Sequence, residues 1–205
     1  MSQPLTTSQK KKINDALELV SKILDCFDEL VQVGKVKPDP EAAELKSNLD
    51  VLHSMMYSDR IDVDSKSNGS VIAWADGDGI HFNDQSPAFP LGPAGDEFPI
   101  SSAWLIIQTL LHEKFHILNH TGLTGILRKA IGLFGFFGLL VLKIGGVHEG
   151  SLLWHEYTAY WHAYRMLGVL DRALFWVCLK KPDCISDCEE HKRQVEDARN
   201  KQKPY

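Results

Sequence analysis

Along the first thirty positions, apolar residues recur at the spacing of one helical face. Ile13, Ala16, Leu17, Leu19, Val20, Ile23, Leu24, Phe27, Leu30 and Val31 keep helical spacing, so residues 7–33 are predicted to form an amphipathic helix that Gly34 ends. Pro38-Asp39-Pro40 turns the chain, and residues 41–57 read as a second helix. Residues 65–69, S-K-S-N-G, read as a loop. Residues 70–74 and 79–83 then read as two short strands around Asp76-Gly77-Asp78-Gly79, a strong hairpin signal. Residues 84–101 carry Pro87, Pro90, Pro93 and Pro99; a loop this long serves as a cleft wall or lid, or as a plain connector.

Helical spacing returns over residues 103–119, which contain no Gly or Pro. Ser101 and Ser102 are its N-cap candidates and Gly122 its stop signal. Leu105, Ile106, Leu110, Leu111, Phe115 and Leu118 spread over a broad surface, as on a buried helix. Residues 149–167 read as another helix, and an apolar helix continues over 167–179 past Gly168. Between these helices, 131–142 is an unbroken apolar run flanked by Arg128-Lys129 and Lys143, too short for a bilayer span of about 20 residues. A buried helix or hairpin is the preferred reading; a flap over a cleft and a membrane-touching segment across 126–146 are the alternatives. The highly charged residues 183–205 read as an exposed terminal helix.

The apolar helix over 103–119 also holds the chain's most informative polar residues, His112-Glu113-Lys114-Phe115-His116. Positions four apart on a helix lie one above the other, so both imidazoles can hold one Zn²⁺ while Glu113 reaches a metal-activated water as general base. A chain of this composition produces such a motif by accident roughly 0.02 times. A buried imidazole or carboxylate without a partner is costly, and a metal supplies the partner.

Catalytic zinc commonly takes three protein ligands. His120 lies four residues beyond His116, but eight residues of helix rise about 12 Å, too far for one ion to bridge His112 and His120. His120 is therefore read as a substrate contact, a supporting residue or a helix C-terminal cation. Asn119 and Gly122 do not match the metzincin pattern. In the second apolar helix, Glu156, Ala159, Tyr160 and Ala163 share a face, and the two alanines allow close approach to the histidine-bearing helix. Glu156 is the preferred third ligand; Glu149, seven residues earlier, is the alternative.

The two-helix arrangement resembles the Glu-ligand zincins, the gluzincins, and the E-x-x-A-x-x-x-A-x-x-M-L run over 156–167 resembles the third-ligand helix of ImmA/IrrE-type metallopeptidases. Tyr160 stands where typical gluzincins have Asp. The resemblance implies a zincin-like α+β fold, mostly α-helical, with a small β-hairpin or sheet beside the active-site helix. It implies one catalytic Zn²⁺ held by His112, His116 and Glu156, a protein or peptide substrate, and catalysis by Glu113. Zincins often add an oxyanion donor, for which Tyr160 is the first candidate and Tyr157, His155 and His148 are others. An edge strand bordering the cleft would pair with an extended substrate.

The chain's 205 residues fit one domain, with an N-terminal helical part over 1–60, a catalytic core over 61–168 and a helical tail over 169–205. A net charge of −5 without a basic aromatic stripe argues against nucleic acid as partner. Residues 1–12 lack the apolar core of a secretory signal, so the expectation is a cytoplasmic protein, or one exported by another route. Cys26, Cys178, Cys184 and Cys188 do not follow a standard zinc spacing; free thiols are the default, and the alternatives are a disulfide on export and a second metal site among the C-terminal cysteines, which His191 follows. The expected activity is zinc-dependent peptide-bond hydrolysis, by a regulatory protease or a secreted effector. The alternatives are zinc-dependent hydrolysis of a non-peptide amide, and a catalytically silent zinc-binding interaction protein.

Overall fold

A computed structural model describes residues 2–65, 69, 71–77, 79–92, 100–121, 147–185 and 188; side chains are described from 2 to 92, from 101 to 117 and from 156 onward within those segments. The described elements are β1 (Ser2–Pro4), α1 (Thr7–Gln32), α2 (Ala42–Tyr57), β2 (Ile61–Asp64), β3 (Ala73–Asp76), β4 (Gly79–Phe82), α3 (Ile100–Thr121) and α4 (Val147–Lys180), with a 3-10 turn at Pro182–Cys184. The fold is α+β and mostly helical, with a small sheet against the motif-bearing helix, as expected of a zincin-like chain.

Local signals account for the first helices. Thr6 caps α1 through a capping box: its hydroxyl accepts from Gln9 N–H while Gln9 Oε1 accepts from Thr6 N–H at 2.8 Å. The other end of α1 closes when Gly34 takes φ +70°, letting Gly34 N–H reach Val31 C=O and Lys35 N–H reach Leu30 C=O. The same closure ends α2, with Asp59 at φ 53° in the glycine's place and Lys10 ion-paired to it at 2.6 Å. On α1, the buried face runs from Ile13 through Leu17, Val20, Leu24 and Phe27 to Leu30. It packs on α3 and α4, and those two helices pack on each other, so the core lies where the three meet.

The sheet runs β1-β2-β4-β3, with β2 parallel to β4 and the other pairs antiparallel. The expected hairpin is present as β3–β4, with Asp76 opposite Gly79 and Gly77 at φ 54°, as the primed two-residue turn requires. Its first strand covers Ala73–Asp76 rather than 70–74, because pairing extends to the turn itself. β1 and β2 were not anticipated. Although β2 alternates buried Ile61 and Val63 with Asp62 and Asp64, it is four residues long and follows α2 after only three residues. β3 is an edge strand, and both β3 and β4 pack on α3.

Two further expectations change, while the helix continues past Gly168 as expected, α4 running for 34 residues. Ser101 and Ser102 lie inside the first turn of α3, which begins at Ile100. The default of free thiols is corrected: Cys26 pairs with Cys184 and Cys178 with Cys188, at Cα separations of 6.7 and 5.1 Å. These two disulfides tie the chain beyond α4 to α1 and to α4 itself. The readings of 131–142 and of the charged tail beyond Cys188 lie outside the described residues.

Candidate metal centre

α3 and α4 pack antiparallel. Trp104 Nε1–H donates to Asp171 Oδ1 at 2.8 Å near one end, and His116 meets Glu156 towards the other. Ala159 and Ala163 are completely buried between them, the close approach that their size permits. The next polar residue on that face of α4, Glu156, therefore lies over the two histidines of α3.

The donor atoms converge. His112 Nε2 lies 3.1 Å from His116 Nε2 and 3.3 Å from Glu156 Oε2, and His116 Nε2 lies 3.4 Å from Glu156 Oε1. Around a tetrahedral Zn²⁺ with ligand bonds of about 2.0–2.1 Å, neighbouring donors stand about 3.3 Å apart. Two imidazoles and one carboxylate at this spacing fit zinc in both chemistry and size. Among the described residues this is the one group of three metal-type ligands that converges. The distal glutamate and the H-E-x-x-H helix together form a zinc-binding-like triad consistent with a gluzincin-type metallopeptidase site, which supports zinc-dependent hydrolysis with a glutamate as general base.

The electrostatics suit ligation. Burial, then the neighbouring His116 imidazole, lower the pKa of His112 against an opposing pull from Glu156, so the imidazole is held in the neutral, metal-binding form. His112 Nδ1 is buried and has no hydrogen-bond partner among the described residues. Glu113 is buried beside it, with Oε1 3.9 Å from His112 Nε2. Tyr160 lies one turn after Glu156, its ring centroid 4.3 Å from that of His112. Burial first, then the carboxylates of Glu156 and Glu113, raise the Tyr160 pKa, which keeps the phenol protonated and able to donate.

Of the other sequence candidates, Tyr157 is an exposed residue on α4. The backbones of His120, His148, Glu149 and His155 belong to α3 or α4, while their side chains lie outside the described set. Glu149 lies within α4, as the helix expected over 149–167 implies. Sequence reasoning missed the opposite side of the motif. Lys114 is buried and donates through Nζ to Asn48 Oδ1 of α2, and burial lowers its pKa. Phe115 stacks on His162 at 4.9 Å, and His162 Nδ1 lies 3.9 Å from Glu44. A buried amine in place of a surface lysine leaves no local signal, because its partner lies 66 residues away.

Comparison of the chain with protein-family models, curated proteins and solved structures finds no match. No helix among the described residues is long and apolar enough to cross a membrane.

Proposed function

We propose that the chain is a zinc-dependent metallopeptidase in which His112, His116 and Glu156 hold the ion and Glu113 and Tyr160 perform the proton and oxyanion work. The observation that carries this reading is the 3.1–3.4 Å convergence of three donors from two helices beside a buried, motif-adjacent glutamate.

Held by His112, His116 and Glu156, zinc would supply Lewis acidity for the scissile carbonyl and for the attacking water. The Glu113 carboxylate takes the proton of that water as it attacks and passes it to the leaving amine. The Tyr160 phenol donates a hydrogen bond to the carbonyl oxygen as that atom gains charge. The neutral His112 imidazole keeps the triad from repelling the cation. A peptide is favoured over a small amide by the openness of the site. Glu156 and Tyr160 are both about half exposed, which suits a chain lying across the centre better than a closed pocket around a small molecule. The edge strand β3, packed on the same helix, offers backbone groups for an extended substrate.

Disulfides persist in oxidising surroundings, so the two cysteine pairs support an exported protein over a cytoplasmic one. The catalytic assignment is tested by cleavage of an unfolded protein. Replacing Glu113 by Gln is expected to lower kcat by about 10²–10⁴-fold, the usual contribution of general acid–base catalysis, while bound zinc is retained. Full activity in Glu113→Gln would remove that glutamate from the mechanism.

A further inference from the structure

The seam between α3 and α4 is smooth where the metal centre sits on it. Ala159 and Ala163 are fully buried there, and side chains that small let the helices touch but offer little relief to stop one sliding along the other. A slide of a single residue is about 1.5 Å. Metal–ligand bonds tolerate about ±0.2 Å, so such a slide would carry Glu156 out of reach of an ion held by His112 and His116. The cross-seam hydrogen bond from Trp104 to Asp171 is exposed and starts eight residues before His112. A register this narrow needs contacts closer to the motif.

The two inner residues of the motif supply them. Two helical residues turn through about 200°, so Lys114 leaves α3 on the side away from His112. It is buried and donates through Nζ to Oδ1 of the buried Asn48 on α2. Phe115, beside His116, stacks on His162 of α4 with 4.9 Å between ring centroids. His162 Nδ1 in turn lies 3.9 Å from Glu44 Oε1, and the same carboxylate pairs through Oε2 with Arg165 of α4 at 2.5 Å. Glu44 and Asn48 stand four apart on α2 and so share a face. From that face Asn48 holds α3 and Glu44 holds α4.

For packing alone this arrangement is costly. Lys114 has a neutral amide as its hydrogen-bond partner and feels the Glu44 carboxylate only through space, so the burial of its amine is poorly compensated. Asn48 Nδ2 is also buried and has no hydrogen-bond partner among the described residues. Apolar residues of similar volume would fill the same space as well or better. What the polar pair adds is direction, since a hydrogen bond fixes one position of α3 where apolar contact allows several. We propose that α2 braces the metal centre: Asn48 through Lys114, and Glu44 through His162 and Arg165, fix the register of α3 on α4 and thereby the affinity for zinc. Lys114 and His162 are then positioning residues, and the proposal rests on the zinc reading above.

The test separates metal affinity from stability. Zinc affinity is measured by competition with a chromophoric chelator, and the stability of the zinc-free proteins by urea unfolding. Lys114→Met combined with Asn48→Leu removes the polar pair from both sides. Its zinc-free form should be at least as stable as wild type, yet bind zinc about 10–100-fold more weakly, the usual cost of losing a residue that orients a metal ligand. His162→Leu should weaken zinc binding in the same way, and His162→Phe, which keeps a ring on Phe115, should recover most of that loss. Wild-type affinity in the double variant and in His162→Leu overturns the proposal. So does a loss in His162→Leu that matches its loss of stability and is not recovered in His162→Phe, which would make the contact plain packing. Should the double variant fail to fold, the two His162 variants decide. The two readings fail separately. A wild-type chain that binds no zinc contradicts the zinc reading and the brace with it; zinc bound equally by wild type and variants contradicts the brace alone.

Discussion

Two histidines in this chain have their pKa values pushed in opposite directions. His112 is kept neutral by burial and by its His116 neighbour, the state that metal binding needs. At His81, burial also favours the neutral form, but hydrogen bonds to Asp62 at 2.6 Å and Asp76 at 2.7 Å, and the charges behind them, outweigh it and raise the pKa. A folded-state value above the unfolded value of about 6.5 stabilises the fold fully below that pH, and the contribution is lost as pH rises through the folded value. The stability gap between wild type and His81→Asn, from urea unfolding, should therefore be wider at pH 5.5 than at pH 8.5. A constant gap would mean that His81 does not titrate with the fold. In the proposed mechanism, Tyr160→Phe would remove the oxyanion donor while keeping the ring that packs on His112. It should lower kcat by about 10²-fold, within the range for lost oxyanion donors, and leave KM nearly unchanged. A rise in KM alone would make Tyr160 a binding residue.

Within single elements, legibility followed length and locality. α1 was readable because a 26-residue amphipathic repeat carries its own cap and stop. The motif on α3 was readable because both of its histidines and its glutamate lie within five residues. The choice of Glu156 on α4 was readable through Ala159 and Ala163, whose size announces where another helix presses close. Two strands of three and four residues were not readable, since an alternation that short also fits a loop. The helix is readable through Gly168 because apolar residues continue on both sides of it: Met166, Leu167, Val169 and Leu170 are buried, and their packing holds the helix there. A β-carbon there would meet only Arg172 Nη1 at 3.5 Å, an ordinary contact. Gly168→Ala should therefore stabilise the protein by about 0.5–1 kcal/mol in chemical denaturation. Destabilisation would mean that α4 needs the glycine's freedom at that point.

For the molecule as a whole, function depends on two helices held in one antiparallel register by a core built mainly from α1, α3 and α4. The sequence indicated the α+β class and the identity of the donors, because both rest on patterns within elements. It did not indicate the partners across elements. Asn48 beneath Lys114, Glu44 beside His162 and Cys26 opposite Cys184 are separated by 66, 118 and 158 positions, and nothing local marks them. The central claim, that this register assembles a zinc site from α3 and α4 together, is tested most directly by metal content. Purified protein and its Glu156→Ala variant, both resupplied with zinc and then freed of excess, are analysed for bound metal. The account predicts one zinc per wild-type chain and a large loss in Glu156→Ala, with the variant still folded by circular dichroism. A wild-type chain that retains no zinc, or a Glu156→Ala variant that retains it fully, would contradict the account.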